Sequence, residues 1–143
     1  MKILANDGVS QSGIDILTEA GFEVITTNVA QEQLVNYINE NKITVLLVRS
    51  ATTARKVLID SCPGLKIIGR GGVGMDNIDV EHARENGLSV INTPAASSSS
   101  VAELVFAHLY GGVRFLYDSN RNMPLEGESN FKGLKKLMLR ELN

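Results

Sequence analysis

The chain has 143 residues, of which 43% are hydrophobic and 21% charged, values close to the averages of globular proteins, so we expect one domain or one domain and a tail. Its net charge of −2 gives no sign of a nucleic-acid or membrane partner, and any anion site must be built from local groups. The longest apolar stretch, residues 101–117, contains charged residues and is too short for a membrane span. A single cysteine, Cys62, and the lack of a signal peptide predict a cytoplasmic protein.

Short apolar runs alternate with helical patterns along the first 91 residues. Ser10 is a plausible N-cap for a first helix that Gly21 ends after about Ala20, and the nearly unbroken apolar run 43–48 is typical of a central parallel strand. The predicted strands are 2–6, 22–26, 43–48, 65–68 and 88–91, and the further predicted helices are 31–40, 56–60 and 79–86. This alternation predicts an α/β fold, in the simplest case a flavodoxin-like, doubly wound parallel sheet of five strands.

The character of the sequence changes after Pro94. A serine run at 97–100 is either a flexible linker or a supply of N-caps for a helix predicted over 101–118. Apolar residues lie around nearly the whole circumference of that helix, which predicts that a second domain or a second subunit buries it. The tail 119–143 is predicted to be irregular, with 132–142 either a short basic helix or frayed.

Ligands of open parallel sheets bind beyond the carboxyl ends of the strands. The third predicted strand ends in Arg49-Ser50-Ala51-Thr52, where an arginine fork and nearby hydroxyls could bind a carboxylate or a phosphate. A surface arginine without a ligand is the structural alternative.

The 69–74 stretch after the fourth strand formally matches the dinucleotide pattern G-x-G-x-x-G. Three details oppose that function: polar residues separate the last glycine from the next helix, the following strand ends in Asn92 rather than an acid, and Arg70 lies among the glycines. We interpret the stretch as a flexible ribbon that lets a ligand approach the backbone, with Arg70 as a second anion donor opposite Arg49. A purely structural turn stays open.

Other chemistries are poorly supported. His82 is expected on a solvated helix face and His108 in a packing role, and the sequence shows no metal-ligand spacing or catalytic triad. A lone Asp7 followed by Arg49 has the wrong charge for the magnesium site of a phosphoryl-accepting receiver domain. Cys62 has no histidine near it in sequence and is a poor nucleophile candidate. We therefore predict no catalytic residue and no metal in this chain.

Four segments taken together resemble the D-isomer-specific 2-hydroxyacid dehydrogenases, with the phosphoglycerate dehydrogenases as the nearest members. They are Arg49-Ser50-Ala51-Thr52, the run 68–79, Asn92-Thr93-Pro94 and residues 100–104. The resemblance covers about the first 130 residues in order and spacing.

The resemblance implies a two-domain, NAD-dependent oxidoreductase. Residues 1–97 would form the substrate-binding domain, and 98–143 the first helix and tail of the nucleotide-binding domain, whose remainder is absent. The helix 101–118 would pack in a homodimer. NAD would be bound mainly by the absent part, so the chain alone is expected to be inactive.

The resemblance also implies the site. The substrate would be a small phosphorylated 2-hydroxy acid, its phosphate near Arg49, Ser50, Thr52 and Arg70, and its carboxylate held by the backbone of Gly71 and Gly72 near the nicotinamide. Val73 would touch the cofactor without the hydroxyl of the threonine that relatives often carry there. Two alternatives stay open: a stand-alone binding module for a small anionic metabolite, and a dimerisation element.

Overall fold

The structure is a computed structural model that describes residues 1–139. Five short strands form one parallel sheet in the order β2-β1-β3-β4-β5, which confirms the flavodoxin-like prediction. The strands are β1 Lys2–Ala5, β2 Glu23–Ile25, β3 Val45–Val48, β4 Ile67–Arg70 and β5 Ser89–Asn92.

The helices of the first ninety residues follow the predicted positions within a few residues. Ser10 caps the first of them, accepting a hydrogen bond from the Gly13 amide at 3.3 Å, as its sequence predicts. The second is preceded by a 3₁₀ turn, Gln31–Gln33. The four helices are α1 Gln11–Glu19, α2 Leu34–Glu40, α3 Lys56–Ser61 and α4 Val80–Glu85.

The hydrophobic core cluster lies on one face of the sheet, although Ile3, Ala5 and Val45 are buried on the other. Leu4, Leu46 and Ile68 stand side by side on β1, β3 and β4, and all three are fully buried. They share one cluster with buried residues of three helices: Leu34 and Ile38 of α2, Leu58 and Ile59 of α3, and Ala83 of α4. Alternation along a strand sends the next residue to the opposite face, where Leu47 is only half-buried and Ile91 is exposed.

The last strands end later than predicted. Gly69 and Arg70 belong to β4, where Gly69 pairs with Leu47 on one side and Ile91 on the other. A Cβ at Gly69 would lie 2.7 Å from Leu47 Cδ2 and 3.4 Å from Ile91 Cγ1, so the glycine lets two neighbouring side chains close over the strand. Glycine is rare inside strands, and sequence patterns therefore end the strand before it.

The chain divides into two compact units, the first Met1–Ala96 and the second beginning at Ser97. The second unit contains α5 Ser98–Val113 and α6 Leu116–Met138, separated by Phe115 in a left-handed conformation. The helix predicted over 101–118 therefore begins and ends earlier than expected. None of the residues of α5 is buried within this chain, so its burial by a partner stays a prediction, as does the packing role of exposed His108.

The prediction of an irregular tail was wrong. Helix α6 consists of two helical segments that meet at a kink at the non-helical Asn130, and the first segment contains Pro124. The Ser119 hydroxyl donates to Met138 Sδ at 3.0 Å, a contact between the two segments that local propensity does not anticipate. Residues 140–142 of the helix predicted over 132–142 lie outside the described residues. Among residues 1–139, no helix combines the length and apolar character needed to cross a membrane.

Candidate functional site

The carboxyl ends of three neighbouring strands bring the predicted site residues together. Val48, Arg70 and Asn92 are paired across β3, β4 and β5, and the Gly71 amide donates to the Val48 carbonyl at 2.9 Å. Beside these ends lies a cleft of about 740 Å³. Its polar rim includes Asp7, Arg49, Arg70, Gly71, Asn92 and Thr93, while the exposed sheet face supplies an apolar wall.

Arg70 is held in place from both sides. Its Nε donates to the Arg49 carbonyl at 3.2 Å, and its Nη1 donates to Asp76 Oδ1 at 3.1 Å. The hydrogen bond and the charge of Arg70 lower the pKa of Asp76, so the pair is ionic at neutral pH. A guanidinium has five N–H donors, so these two bonds leave donors for a ligand.

Gly74 lies close beside this pair. A Cβ at Gly74 would lie 3.1 Å from Arg70 Nη1 and 3.3 Å from Asp76 Oδ1. A side chain at this position would therefore crowd the ion pair between Arg70 and Asp76.

The loop formed by residues 49–52 is held by polar side chains from outside it. Asp7 Oδ2 accepts from the amides of Arg49 at 2.6 Å and Thr52 at 3.1 Å. Asn77 Nδ2 donates to the carbonyls of the same two residues, at 2.8 and 2.7 Å. The sequence interpretation assigned no role to Asn77. It placed Asp7 at the carboxyl edge of the sheet and rejected a magnesium site there, but it gave Asp7 no other role.

Thr52 lies within this network rather than on the cleft surface. Its side chain is 4% exposed, and its hydroxyl donates to Asp7 Oδ1 and accepts from Asn6 Nδ2 at 2.8 Å. Arg49 and Ser50 are exposed. Of the three loop residues predicted to contact the phosphate, only Arg49 and Ser50 are therefore accessible to a ligand. Thr52 instead supports the loop.

The glycine loop after β4 is attached to the end of β5. The Thr93 amide donates to the Gly72 carbonyl at 3.1 Å, and Asn92 Nδ2 donates to the Val73 carbonyl at 2.7 Å. Val73 itself is 50% exposed. Helix α4 begins only at Val80, six residues after Gly74, whereas in a dinucleotide fingerprint the helix begins within the glycine pattern. The interpretation of residues 69–74 as a ribbon beside the ligand stays a prediction.

His82 is more enclosed than the solvated position predicted for it. Its Nε2 lies 2.6 Å from Asp60 Oδ1, and the side chain is only 20% exposed because α3 packs beside α4. This pair joins two helices and does not line the cleft.

The remaining candidates for chemistry lie outside the cleft or lack the required groups. Cys62 is fully buried, and burial raises the pKa of its thiol, which disfavours the nucleophilic thiolate. In the part of the chain that the structure describes, no cluster of three or more histidine, cysteine or acidic side chains could hold a metal ion.

The charge of Asp7 should make stability depend on pH. Partial burial by itself would raise the pKa of Asp7, but hydrogen bonds from the Thr52 hydroxyl and from the backbone of Arg49, Thr52 and Ala51 together outweigh burial and lower it. A lowered carboxyl pKa stabilises the folded state above the unfolded value of about 4, and this contribution is lost as pH falls through the folded value.

We therefore expect Asp7→Asn to lower the free energy of unfolding by about 1–3 kcal/mol at pH 7, and by less at pH 3. Urea denaturation of both chains at several pH values measures this. The exposed Asp15→Asn is the control, and a wild-type advantage that stays constant from pH 7 to pH 3 would contradict the assignment.

The first unit is an α/β domain with a parallel sheet and a cleft at the carboxyl ends of its strands. Residues 3–127 match the model of the D-isomer specific 2-hydroxyacid dehydrogenase catalytic domain, and the chain belongs to this family.

The relatives share sequence over most of this chain. It is 39% identical over 138 residues to a D-3-phosphoglycerate dehydrogenase of Methanocaldococcus jannaschii, covering 94% of this chain and 26% of that protein. It is 36% identical over 135 residues to a hydroxypyruvate reductase of Thermotoga maritima, covering 94% of this chain and 43% of that protein. The chain thus spans less than half the length of these relatives.

A solved structure supports the same relationship. The NAD⁺-bound 3-phosphoglycerate dehydrogenase of Entamoeba histolytica superposes with a TM-score of 0.63 at 30% identity, covering 80% of this chain and 39% of that one.

Proposed function

We propose that this chain supplies the substrate-binding part of an NAD-dependent dehydrogenase that oxidises 3-phosphoglycerate to 3-phosphohydroxypyruvate, the entry reaction of serine biosynthesis. The observation that carries the proposal is the placement of Arg49 and Arg70 at one cleft, linked through the Arg49 carbonyl. Two cationic side chains at one cleft suit a substrate that carries a phosphate. Relatives named D-3-phosphoglycerate dehydrogenase point to the same substrate.

In this proposal the residues of the chain bind and orient the substrate. Arg49 and Ser50 approach the phosphate from the exposed loop, and Arg70 approaches it from the end of β4. The backbone of Gly71 and Gly72 receives the carboxylate, where the absence of side chains allows close approach.

NAD would accept the hydride from C2. Among the described residues we assign it one contact, the exposed side chain of Val73. The fit is partial, because the dinucleotide fingerprint geometry is missing from the glycine loop. We assign the rest of the cofactor site, and the histidine base that takes the hydroxyl proton, to parts of the longer relatives that this chain does not span.

The proposal extends to the organisation of the chain. Residues 1–97 are assigned to the substrate-binding domain and 98–143 to the start of the nucleotide-binding domain. The exposed apolar residues of α5, among them Val101, Leu104 and Val105, are assigned to a homodimer interface.

The test is an NMR titration of the chain with 3-phospho-D-glycerate and with D-glycerate. We expect weak binding, stronger for the phosphorylated ligand, and a loss of about tenfold or more in Arg49→Ala, since one charge-assisted hydrogen bond contributes about 1.5–3 kcal/mol. Arg84→Ala, on exposed α4, is the matched control and should bind as the wild type does. The pure chain should not reduce NAD.

Each alternative predicts a different result. Equal binding of the two ligands would remove phosphate recognition and favour a non-phosphorylated substrate, as the name of the hydroxypyruvate reductase relative suggests. Tight binding by the isolated chain would favour a stand-alone module for an anionic metabolite. Unchanged binding in Arg49→Ala, together with loss of self-association in Leu104→Asp, would favour a dimerisation element.

A further inference from the structure

The loop at residues 49–52 is held at both of its ends by the same two side chains. Asp7 accepts from the amides of Arg49 and Thr52, while Asn77 donates to their carbonyls, all at 3.1 Å or less. All four of these backbone groups are therefore bound by residues far away in sequence.

The two side chains come from opposite neighbours of the strand that carries the loop. Asp7 follows β1, and Asn77 lies in the segment after β4, and both strands pair with β3. The Asn77 segment is itself anchored, because the Ala54 amide donates to the Asn77 carbonyl and the Asp79 amide to the Ala54 carbonyl, both at 2.9 Å. Asn77 is only 7% exposed, so its amide has little freedom to turn away.

One carbonyl connects this network to both arginines. The Arg49 carbonyl accepts from Asn77 Nδ2 and from Arg70 Nε. A shift of the Arg49 backbone would therefore move the Arg49 side chain and also the acceptor that orients the Arg70 guanidinium. Binding sites need their polar groups placed to within about 0.5 Å, so such a shift would weaken binding.

A carboxylate at the rim of an anion site repels the anion. An experiment can therefore distinguish a role of Asp7 through its charge from a role through its hydrogen bonds to the loop. If Asp7 acted on the ligand only through its charge, removal of that charge would tighten anion binding. In the structure the Asp7 carboxylate oxygens instead accept hydrogen bonds from the Thr52 hydroxyl and from two amides of the loop.

We propose that Asp7 and Asn77 are positioning residues, which fix the backbone of the 49–52 loop so that Arg49 and Arg70 meet a single bound anion. This inference rests on the proposed function for the identity of the anion. It predicts weaker substrate binding when either residue loses its contacts with the loop.

The test compares Asp7→Asn, Asn77→Ala and wild type by NMR titration with 3-phospho-D-glycerate. We expect each variant to bind about 2- to 12-fold more weakly, the equivalent of one hydrogen bond. Asp15→Asn removes the same charge from exposed α1 and should bind at least as well as wild type. The amide protons of Arg49 and Thr52 should also lose the downfield shift caused by the Asp7 carboxylate in Asp7→Asn.

Unchanged or tighter binding by folded Asp7→Asn would overturn the inference. If both variants unfold, ¹⁵N relaxation of the wild type tests the inference instead. Order parameters of about 0.85 for the 49–52 loop before ligand is added would support a positioning role. A loop that becomes ordered only when the ligand binds would refute it. Wild type that fails to bind 3-phospho-D-glycerate would contradict the proposed function, and the same comparison made with inorganic phosphate would still test the positioning role.

Discussion

Replacement of Leu46 by alanine is expected to lower the free energy of unfolding by about 2–5 kcal/mol. Leu46 is 0% exposed and lies between Leu4 and Ile68 on the sheet face that α2, α3 and α4 cover. The substitution removes buried methyl groups and leaves a cavity that a closely packed sheet cannot fill. Because whole domains are stable by only about 5–15 kcal/mol, urea denaturation should show a large shift of the midpoint.

The adjacent residue provides the matched control. Leu47 has the same side chain but points to the opposite face of the sheet, where it is only half-buried at the wall of the cleft. Leu47→Ala should therefore cost clearly less than Leu46→Ala. Equal losses would mean that the two faces are covered equally, contrary to the structure of this chain.

Replacement of Asn6 by leucine is expected to lower the free energy of unfolding by a similar amount, about 2–5 kcal/mol, because buried hydrogen bonds are lost. Asn6 is 4% exposed and makes hydrogen bonds with both backbone groups of Val29, accepting from the amide at 2.8 Å and donating to the carbonyl at 3.1 Å. Its amide also donates to the Thr52 hydroxyl. Leucine is nearly the same size but leaves the amide and the carbonyl of Val29 without these partners, at a cost of about 1–3 kcal/mol each.

The same substitution at an exposed asparagine serves as a control, because it changes the side chain in the same way without breaking buried hydrogen bonds. Asn36 lies exposed on α2, and Asn36→Leu should change the free energy of unfolding by no more than about 0.5 kcal/mol. Urea denaturation of the three chains makes the comparison. If Asn6→Leu lowers the free energy of unfolding by less than about 1 kcal/mol, water or a rearranged loop must form the hydrogen bonds with the amide and carbonyl of Val29.

Much of the first unit follows from local sequence patterns. The apolar run before Arg49, the Ser10 cap and the alternation of strands with helices predict a parallel sheet in the flavodoxin-like order, and that order is observed. Such patterns are informative because burial imposes a period of two on strands and about 3.6 on helices. Local patterns were less reliable in the tail, where the chain is helical on both sides of Pro124.

The arginines of the candidate site were also predictable from the sequence. Arg49 and Arg70 stand at the ends of predicted strands, and the carboxyl ends of parallel strands meet at one edge. The position of His82 was not predictable, because its partner Asp60 lies on a different helix. The place of Gly69 inside β4 depends likewise on the neighbouring strands, through Leu47 and Ile91.

The sequence by itself determined the order of elements, the fold class and which charged residues reach the edge of the sheet, since each depends on patterns within a few residues. Only the tertiary structure decided how that edge is held. Asp7 and Asn77 bind the 49–52 loop across 25 to 45 residues of chain, and Thr52 turns its hydroxyl inward to join them. Hydrogen bonds at such separations depend on which strands become neighbours, and no local pattern of residue types records that choice.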